Sequence, residues 1–261
     1  MIKNRMYLIC LFVLSIGVMA IPQSAFAFLG AEAGVGAWQQ SPSGTFGYKG
    51  TDLDLKDDLK YDTKSNPFVR IKVDLPLILP NIYVMYTPMS FDGTGSKTTP
   101  FTYGNTTFNA NAAIESKLKL DHIDLAFYYP IPLLNTATAG ILNVDLGLNV
   151  RKIDFEGTIT GTNSATGLTF TESKSLPLYI PMIYVGIQVK PMSLFAIELE
   201  GRMISAGASH YNDYIARLKI KPIGPLFIAG GYRTEDIKID ASDVKAAIKF
   251  SGPFAEVGLA F

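Results

Sequence analysis

The sequence is short of four things, and each shortage removes a class of protein. It has one cysteine, Cys10, inside an N-terminal apolar stretch. The rest of the chain can therefore form neither an internal disulfide nor a thiolate metal site, which excludes cysteine nucleophiles and zinc ribbons. Past residue 30 no apolar run approaches the ~18 to 20 residues of a membrane helix. Net charge is missing as well: 23 Lys and Arg stand against 23 Asp and Glu, so there is no basic field and no nucleic-acid partner is expected. Last, no stretch beyond the N-terminus sustains a helical period. Disorder is excluded too, because 48% of the residues are hydrophobic and only 18% charged. Nothing in the residues calls for a metal or a cofactor.

Lys3 and Arg5 precede the apolar stretch Met6 to Ile21, and Ala25 and Ala27 form the A-x-A pattern of a signal-peptidase site. Residues 1–27 are thus expected to be a cleavable signal peptide, with 28–261 the exported domain.

That domain is written in period two. Leu142, Val144, Leu146, Leu148 and Val150 alternate with Asn143, Asp145, Gly147, Asn149 and Arg151. Val69, Ile71 and Val73 alternate with Arg70, Lys72 and Asp74, and Ile123, Leu125, Phe127 and Tyr129 with His122, Asp124, Ala126 and Tyr128. Ile197 and Leu199 alternate with Glu198, Glu200 and Arg202; Leu218 and Ile220 alternate with Arg217, Lys219 and Lys221. Proline-bearing connectors at 76–80, from 130 onward, at 190–193 and at 221–225 mark short turns on one side. Segments rich in Gly, Thr, Ser, Asn and Asp at 41–66, 91–112, 157–175, 205–210 and 239–243 mark longer connections on the other. The connections join ten strands, near 29–40, 67–76, 81–91, 113–129, 141–156, 176–190, 194–205, 211–221, 226–238 and 244–261.

Dyad strands of about ten residues, short turns alternating with long polar loops, and an export signal predict an all-β, ten-stranded antiparallel transmembrane β-barrel of the bacterial outer membrane, with 8 or 12 strands as alternatives. A secreted sandwich would alternate in the same way. Two features favour the membrane. Aromatics gather where strands meet connectors, as interfacial girdles require: Trp38, Phe127, Tyr128, Tyr129, Tyr179, Phe195, Tyr211, Tyr214 and Phe227. The chain also ends with Ala255, Val257, Leu259 and Phe261 on one face; Val257, Leu259 and the terminal aromatic resemble the signal read by the barrel-assembly machinery. Outer-membrane lipid and lipopolysaccharide are the other expected partners, and a monomer is expected.

The stretches Phe28-Leu-Gly-Ala-Glu-Ala-Gly-Val-Gly-Ala-Trp-Gln-Gln-Ser-Pro-Ser-Gly44, Leu53-Asp-Leu-Lys-Asp-Asp-Leu59, Leu120-Asp-His-Ile-Asp-Leu125, Val144-Asp-Leu-Gly-Leu-Asn-Val-Arg151, Pro181-Met-Ile-Tyr184, Gly230-Gly-Tyr-Arg233 and Phe250-Ser-Gly-Pro-Phe254 are spread along the chain. They resemble a family of small proteobacterial outer-membrane barrel proteins known as OMP-with-Gly-Gly proteins. The resemblance implies location and fold, and carries no catalytic residue with it.

With the apolar positions facing lipid, the lumen receives Glu32, Arg70, Lys72, Asp74, His122, Asp124, Asp145, Asn149, Arg151, Glu198, Glu200, Arg202, Arg217, Lys219, Arg233 and Glu256. An unpaired ion in a narrow interior costs several kcal/mol, so the balanced signs predict a charge network that plugs the lumen. Glycines such as Gly36 and Gly231 are expected to leave room for the arginines. A structural or surface-exposed envelope protein follows, not an enzyme, with binding or adhesive loops at 41–66, 91–112 and 157–175. The alternatives are a narrow small-solute channel and a hydrolase using His122 with Asp124 or Asp121. The acidic run Asp52 to Asp58 reads as a solvated loop, and Phe101 to Phe108 as a hairpin around Gly104-Asn105.

Overall fold

The computed structural model describes residues 30–76, 78–163, 165–240 and 243–261; the expected signal peptide lies outside them. The strands are β1 (Gly30–Tyr48), β2 (Leu53–Asp54), β3 (Lys64–Asp74), β4 (Asn81–Thr87), β5 (Ser90–Gly95), β6 (Phe101–Tyr103), β7 (Thr106–Phe108), β8 (Ile114–Pro130), β9 (Leu142–Thr162), β10 (Thr169–Met192), β11 (Phe195–Ala206), β12 (Ser209–Ile223), β13 (Leu226–Asp240) and β14 (Val244–Ala260). One helical turn, α1 (Leu134–Ala137), sits in the connector between β8 and β9.

Ten of these strands, β1, β3, β4 and β8 to β14, pair antiparallel with their neighbours, and β14 pairs back onto β1 to close a barrel. Closure removes the exposed edges that an open sheet would have to protect. Near the extracellular end β2 continues the wall beside β1 and β5 continues it beside β8. The hairpin β6–β7 forms a separate small sheet, and its turn places Gly104 at φ +64°, a conformation that side chains disfavour. All ten expected strands are present, and several run further into the polar segments than the composition suggested. β9 and β10 pair from Thr162↔Thr169 down to Leu142↔Val189, so most of the expected loop 157–175 belongs to the two arms of a hairpin.

The outer wall is apolar. Val35, Val69, Ile71, Ile123, Leu125, Leu146, Leu148, Val150, Ile183, Ile197, Leu199, Leu218, Ile228 and Val257 all lie exposed on it, Leu148 at 69%. A continuous belt of this kind is unstable against water and stable against hydrocarbon. Along β9 it runs from Leu142 to Val150 before Lys152 and Asp154 begin. At ~3.3 Å per residue and a tilt near 40° that is about 20 Å, close to the apolar band of such barrels. Tyr86, Tyr179, Tyr214 and Tyr232 rim it at one end and Phe127, Tyr129 and Phe261 at the other, all exposed. Four of the aromatics expected in these girdles are not there: Trp38, Tyr128, Tyr211 and Phe227 are buried inside the barrel. Each shares its strand face with lumen residues, Trp38 with Gln40 and Tyr211 with Arg217, so strand parity overrides nearness to a connector. Val257 and Leu259 face outward, as does Phe261.

Candidate functional site

The lumen holds the chemistry, and the dyad of each strand builds it. A layer toward the periplasmic end is centred on Arg70. Its Nε donates to Glu256 at 2.6 Å, and another of its N–H groups donates to Glu32. Lys219 donates to Glu32 at 2.8 Å and also to Glu198. Arg217 reaches Glu198 at 2.9 Å and Glu200 at 2.8 Å, with Glu256 at 3.2 Å, and Lys72 donates to Glu200 at 3.0 Å. Four carboxylates thus face four cations.

A second layer stands above it. Arg151 makes two 2.8 Å bonds to Asp124 and reaches Asp213 at 2.5 Å. Arg233 grips Asp213 through Nε at 3.0 Å and Nη2 at 2.9 Å, and lies 2.6 Å from Glu235. Arg202 joins the layers, 3.3 Å from Glu200 and 3.5 Å from Asp213. Three carboxylates face three arginines here, so each layer is neutral by itself. Neutrality within a layer matters because the side chains are almost wholly buried, where an unmatched ion would cost several kcal/mol. Every arginine of the network also lies over a ring: Arg233 on Trp38 at 4.6 Å, Arg151 on Tyr211 and Arg202 on Tyr83 at 4.8 Å, Arg70 on Phe227 at 5.5 Å, Arg217 on Phe254 at 5.6 Å. Burial strengthens such contacts, because the cation has already lost its water. The glycines make room for the rings and not for the arginines directly: a Cβ at Gly231 would meet Phe254 at 2.8 Å, and one at Gly36 would meet Phe68, which packs edge-on to Phe254, at 2.5 Å.

The structure brings together all the expected lumen charges except two. Asp74 and Asp145 lie at the periplasmic rim and make no ion pair among the described residues; Asp74 accepts a bond from Tyr128 at 3.1 Å and Asp145 one from Asn143 at 2.8 Å. Their places in the balance belong to Asp213 and Glu235, two acids outside the expected lumen set. The signal was present: Asp213 is in step with Arg217, and Glu235 with Arg233. Ile215 and Ile237, apolar residues on the inward face, interrupted it.

His122 sits in the upper layer. Its Nδ1 donates to the Leu120 carbonyl at 3.0 Å, and its Nε2 lies 3.3 Å from Arg233 and 3.4 Å from Glu235. Asp124 is 3.9 Å from Nε2 and is held by Arg151. Asp121 lies on the other face of β8, accepting from the Met89 N–H at 2.8 Å.

Above the ions the barrel is stoppered by its own loops. Leu53, Leu55, Leu59 and Tyr61 from the first loop and Met89, Phe91, Phe101, Tyr103 and Phe108 from the second are buried against Phe46, Leu118, Ile159, Ile248 and Phe250 of the wall. Phe91 stacks on Phe250 at 5.2 Å and Phe101 on Phe108 at 5.1 Å. The acidic run is therefore not a solvated loop. Its leucines are anchored inside, Asp54 accepts the N–H groups of Lys56 and Asp57 at 2.8 and 2.7 Å, and Asp58 holds Lys97 at 2.5 Å. Burial pushes the Tyr61 phenol up to about 12. At the opposite end a cavity of about 530 Å³ is lined by Glu32, Lys72, Asp74, Tyr128, Asp145, Gln188, Glu198 and Lys219 among others. His122 and Asp124 do not line it.

A closed ten-stranded barrel with an apolar belt and ionic lumen is an outer-membrane β-barrel. Among solved structures, outer membrane protease OmpT from Escherichia coli shares the fold at a TM-score of 0.57 with 10% identity, covering 89% of this chain and 96% of that one. The Ail protein of Yersinia pestis matches over 90% and 99% of the two chains at a TM-score of 0.33 and 10% identity. An outer-membrane channel from Pseudomonas putida F1 matches over 93% and 97% at 0.41 and 12%. No family model and no curated protein matches the chain in sequence.

Proposed function

We propose that the protein is a non-conducting, non-enzymatic envelope barrel whose role is to hold adhesive segments above the outer membrane. The observation that supports this reading best is the doubly closed lumen, in which two neutral ion layers lie beneath an apolar stopper formed by the first two extracellular loops. A barrel built to pass solutes needs a continuous wet path. Here the 530 Å³ cavity at the periplasmic end has Glu198, Glu200 and Lys219 among the residues lining it, and the ion layers and the stopper stand beyond them. The hydrolase alternative is disfavoured because His122 and Asp124 are each committed to arginine-rich neighbours within the buried layer. What remains accessible is the extracellular surface, dominated by the β9–β10 hairpin. The strand ending in Val257, Leu259 and Phe261 would be read by the assembly machinery from its lipid-facing side.

Two measurements test the proposal. In planar bilayers the purified chain should give no steady unitary current; a reproducible single-channel step would refute the closed lumen. Cells carrying the protein should be retained on a protein- or polysaccharide-coated surface several-fold better than cells whose 157–175 hairpin and first two loops are trimmed. Equal retention would refute the adhesive role.

A further inference from the structure

The β9–β10 hairpin leaves one sheet edge open. β10 pairs with β9 from Thr169↔Thr162 to Val189↔Leu142, but its ladder with β11 starts only at Ile183↔Met203. Residues 169–182 therefore have a partner on one side alone. Pro177 and Pro181 lie opposite Asp154 and Val150. Lacking an N–H, they occupy the non-bonded pairs of that ladder, so residues in step with them direct N–H and C=O away from β9. The bonds from Asn163 N–H to Leu168 O and from Lys190 N–H to Ile141 O turn the other parity toward β9. Thr169, Thr171, Ser173 and Ser175 accordingly offer a run of free donors and acceptors. The hydroxyls of Thr171 and Ser173 are already engaged within the hairpin, with Thr160 at 2.8 Å and Thr158 at 3.0 Å. Edge strands are normally guarded, and here the two prolines guard only the lower part.

The intervening residues carry charge on the opposite face. Glu172 accepts from Thr106 through one oxygen at 2.8 Å, and Lys174 is exposed, with no ion pair among the described residues.

We propose that this edge pairs antiparallel with the same edge of a second copy, Ser173 opposite Ser173. That register sets Thr171 opposite Ser175 and Glu172 opposite Lys174 on both sides of a two-fold axis, so the segment is complementary to itself. Only registers that bring one outward parity against the other are possible. Centring the pair on Glu172 sets carboxylate against carboxylate, and centring it on Lys174 sets ammonium against ammonium. A two-fold axis perpendicular to the sheet reverses strand direction and with it the barrel axis. The two copies must then stand in facing membranes, and the contact joins two outer membranes. This deepens the adhesive role proposed above and rests on it.

The test uses the full chain in two populations of phosphatidylcholine vesicles carrying donor and acceptor lipid dyes. Wild-type vesicles should dock to each other. Ser173→Pro should lower docking at least tenfold while leaving the hairpin's backbone ladder intact, because its missing N–H falls on the open edge and only the hydroxyl contact with Thr158 is lost within the hairpin. Vesicles bearing Lys174→Glu alone, or Glu172→Lys alone, should not self-dock, whereas a mixture of the two populations regains opposite charges at every position and should dock within about threefold of wild type. A heat-modifiable gel band checks that each variant is folded. Dispersed wild-type vesicles, unimpaired docking of Ser173→Pro, or failure of the mixture despite folded protein would each overturn self-pairing. If vesicles stay dispersed while cells still show hairpin-dependent retention on a coated surface, self-pairing fails and the adhesive role survives.

Discussion

At the scale of single residues the lumen works by local neutrality, and Asp213 is where that is most exposed to test. It accepts from Arg151 and Arg233 and lies 3.5 Å from Arg202, so Asp213→Ala leaves three buried guanidiniums sharing two carboxylates. Removing one member of a buried ionic cluster typically costs about 3 to 5 kcal/mol, and urea unfolding in lipid vesicles should register a loss of that order. Asp145→Asn, at the rim, should change stability by no more than ~0.5 kcal/mol; equal losses for the two would mean the layers are not the stabilising unit. The tryptophan supplies a second test. Trp38 is the single tryptophan of the chain, and its Nε1 donates to the Gly252 carbonyl at 3.2 Å beneath Arg233. Brominated lipids should therefore leave its fluorescence nearly unquenched, whereas a tryptophan introduced by Tyr179→Trp, at a position 67% exposed on the outer wall, should be strongly quenched. These two residues also show what the sequence could and could not say. Aromatic position relative to a connector placed Trp38 in a girdle, yet its own dyad with Gln40 already put it inside.

The strands were legible because a wall with lipid on one side and ions on the other leaves no freedom in the alternation. Legibility failed where both faces are wet or both are buried. β9 and β10 above Val150 carry Thr158, Thr160, Thr171 and Ser173, residues that serve loops and hydrated strands equally well, so composition alone does not separate the long hairpin from a loop. The first loop failed in the opposite sense: its aspartates advertised solvent while Leu53, Leu55 and Leu59 went inside. The stopper should respond to alkaline pH through Tyr61, which stacks on Phe91 at 6.2 Å. Its phenol is held up at about 12 against an ordinary value of 10.0, so the fold binds this proton more tightly than the unfolded chain does. That contribution is full below pH 10 and fades as pH rises from about 10 to about 12. The melting temperature of wild type minus that of Tyr61→Phe should therefore decline across this interval; a flat difference would place Tyr61 in solvent. Replacing residues 97–112 by a short Gly-Ser linker should lower thermal stability yet still give no steady current, because both ion layers remain beneath the missing hairpin.

For the molecule as a whole, the decisive question is what covers the outer wall, since the same alternation could in principle place a second protein layer there. The placement of charge along β9 gives a depth scale. Leu148 lies in the middle of the apolar belt, while Thr160, on the same outward face of the same strand, stands above the girdle marked by Tyr179 and Tyr214. An arginine on the lipid face costs roughly 2 to 4 kcal/mol at the bilayer midplane and about 0 to 1 near the interface. Leu148→Arg should thus lose several kcal/mol of stability in vesicles and Thr160→Arg almost none, measured by urea unfolding at matched lipid. The two positions share a strand and a face and each pairs with β10, Leu148 with Ile183 and Thr160 with Thr171; Thr160→Arg loses one exposed hydroxyl contact, so a much larger cost at Leu148 reports immersion in hydrocarbon. Equal costs at both would mean that no bilayer surrounds the belt, and with it the inward assignment of every charge in the lumen would lose its cause.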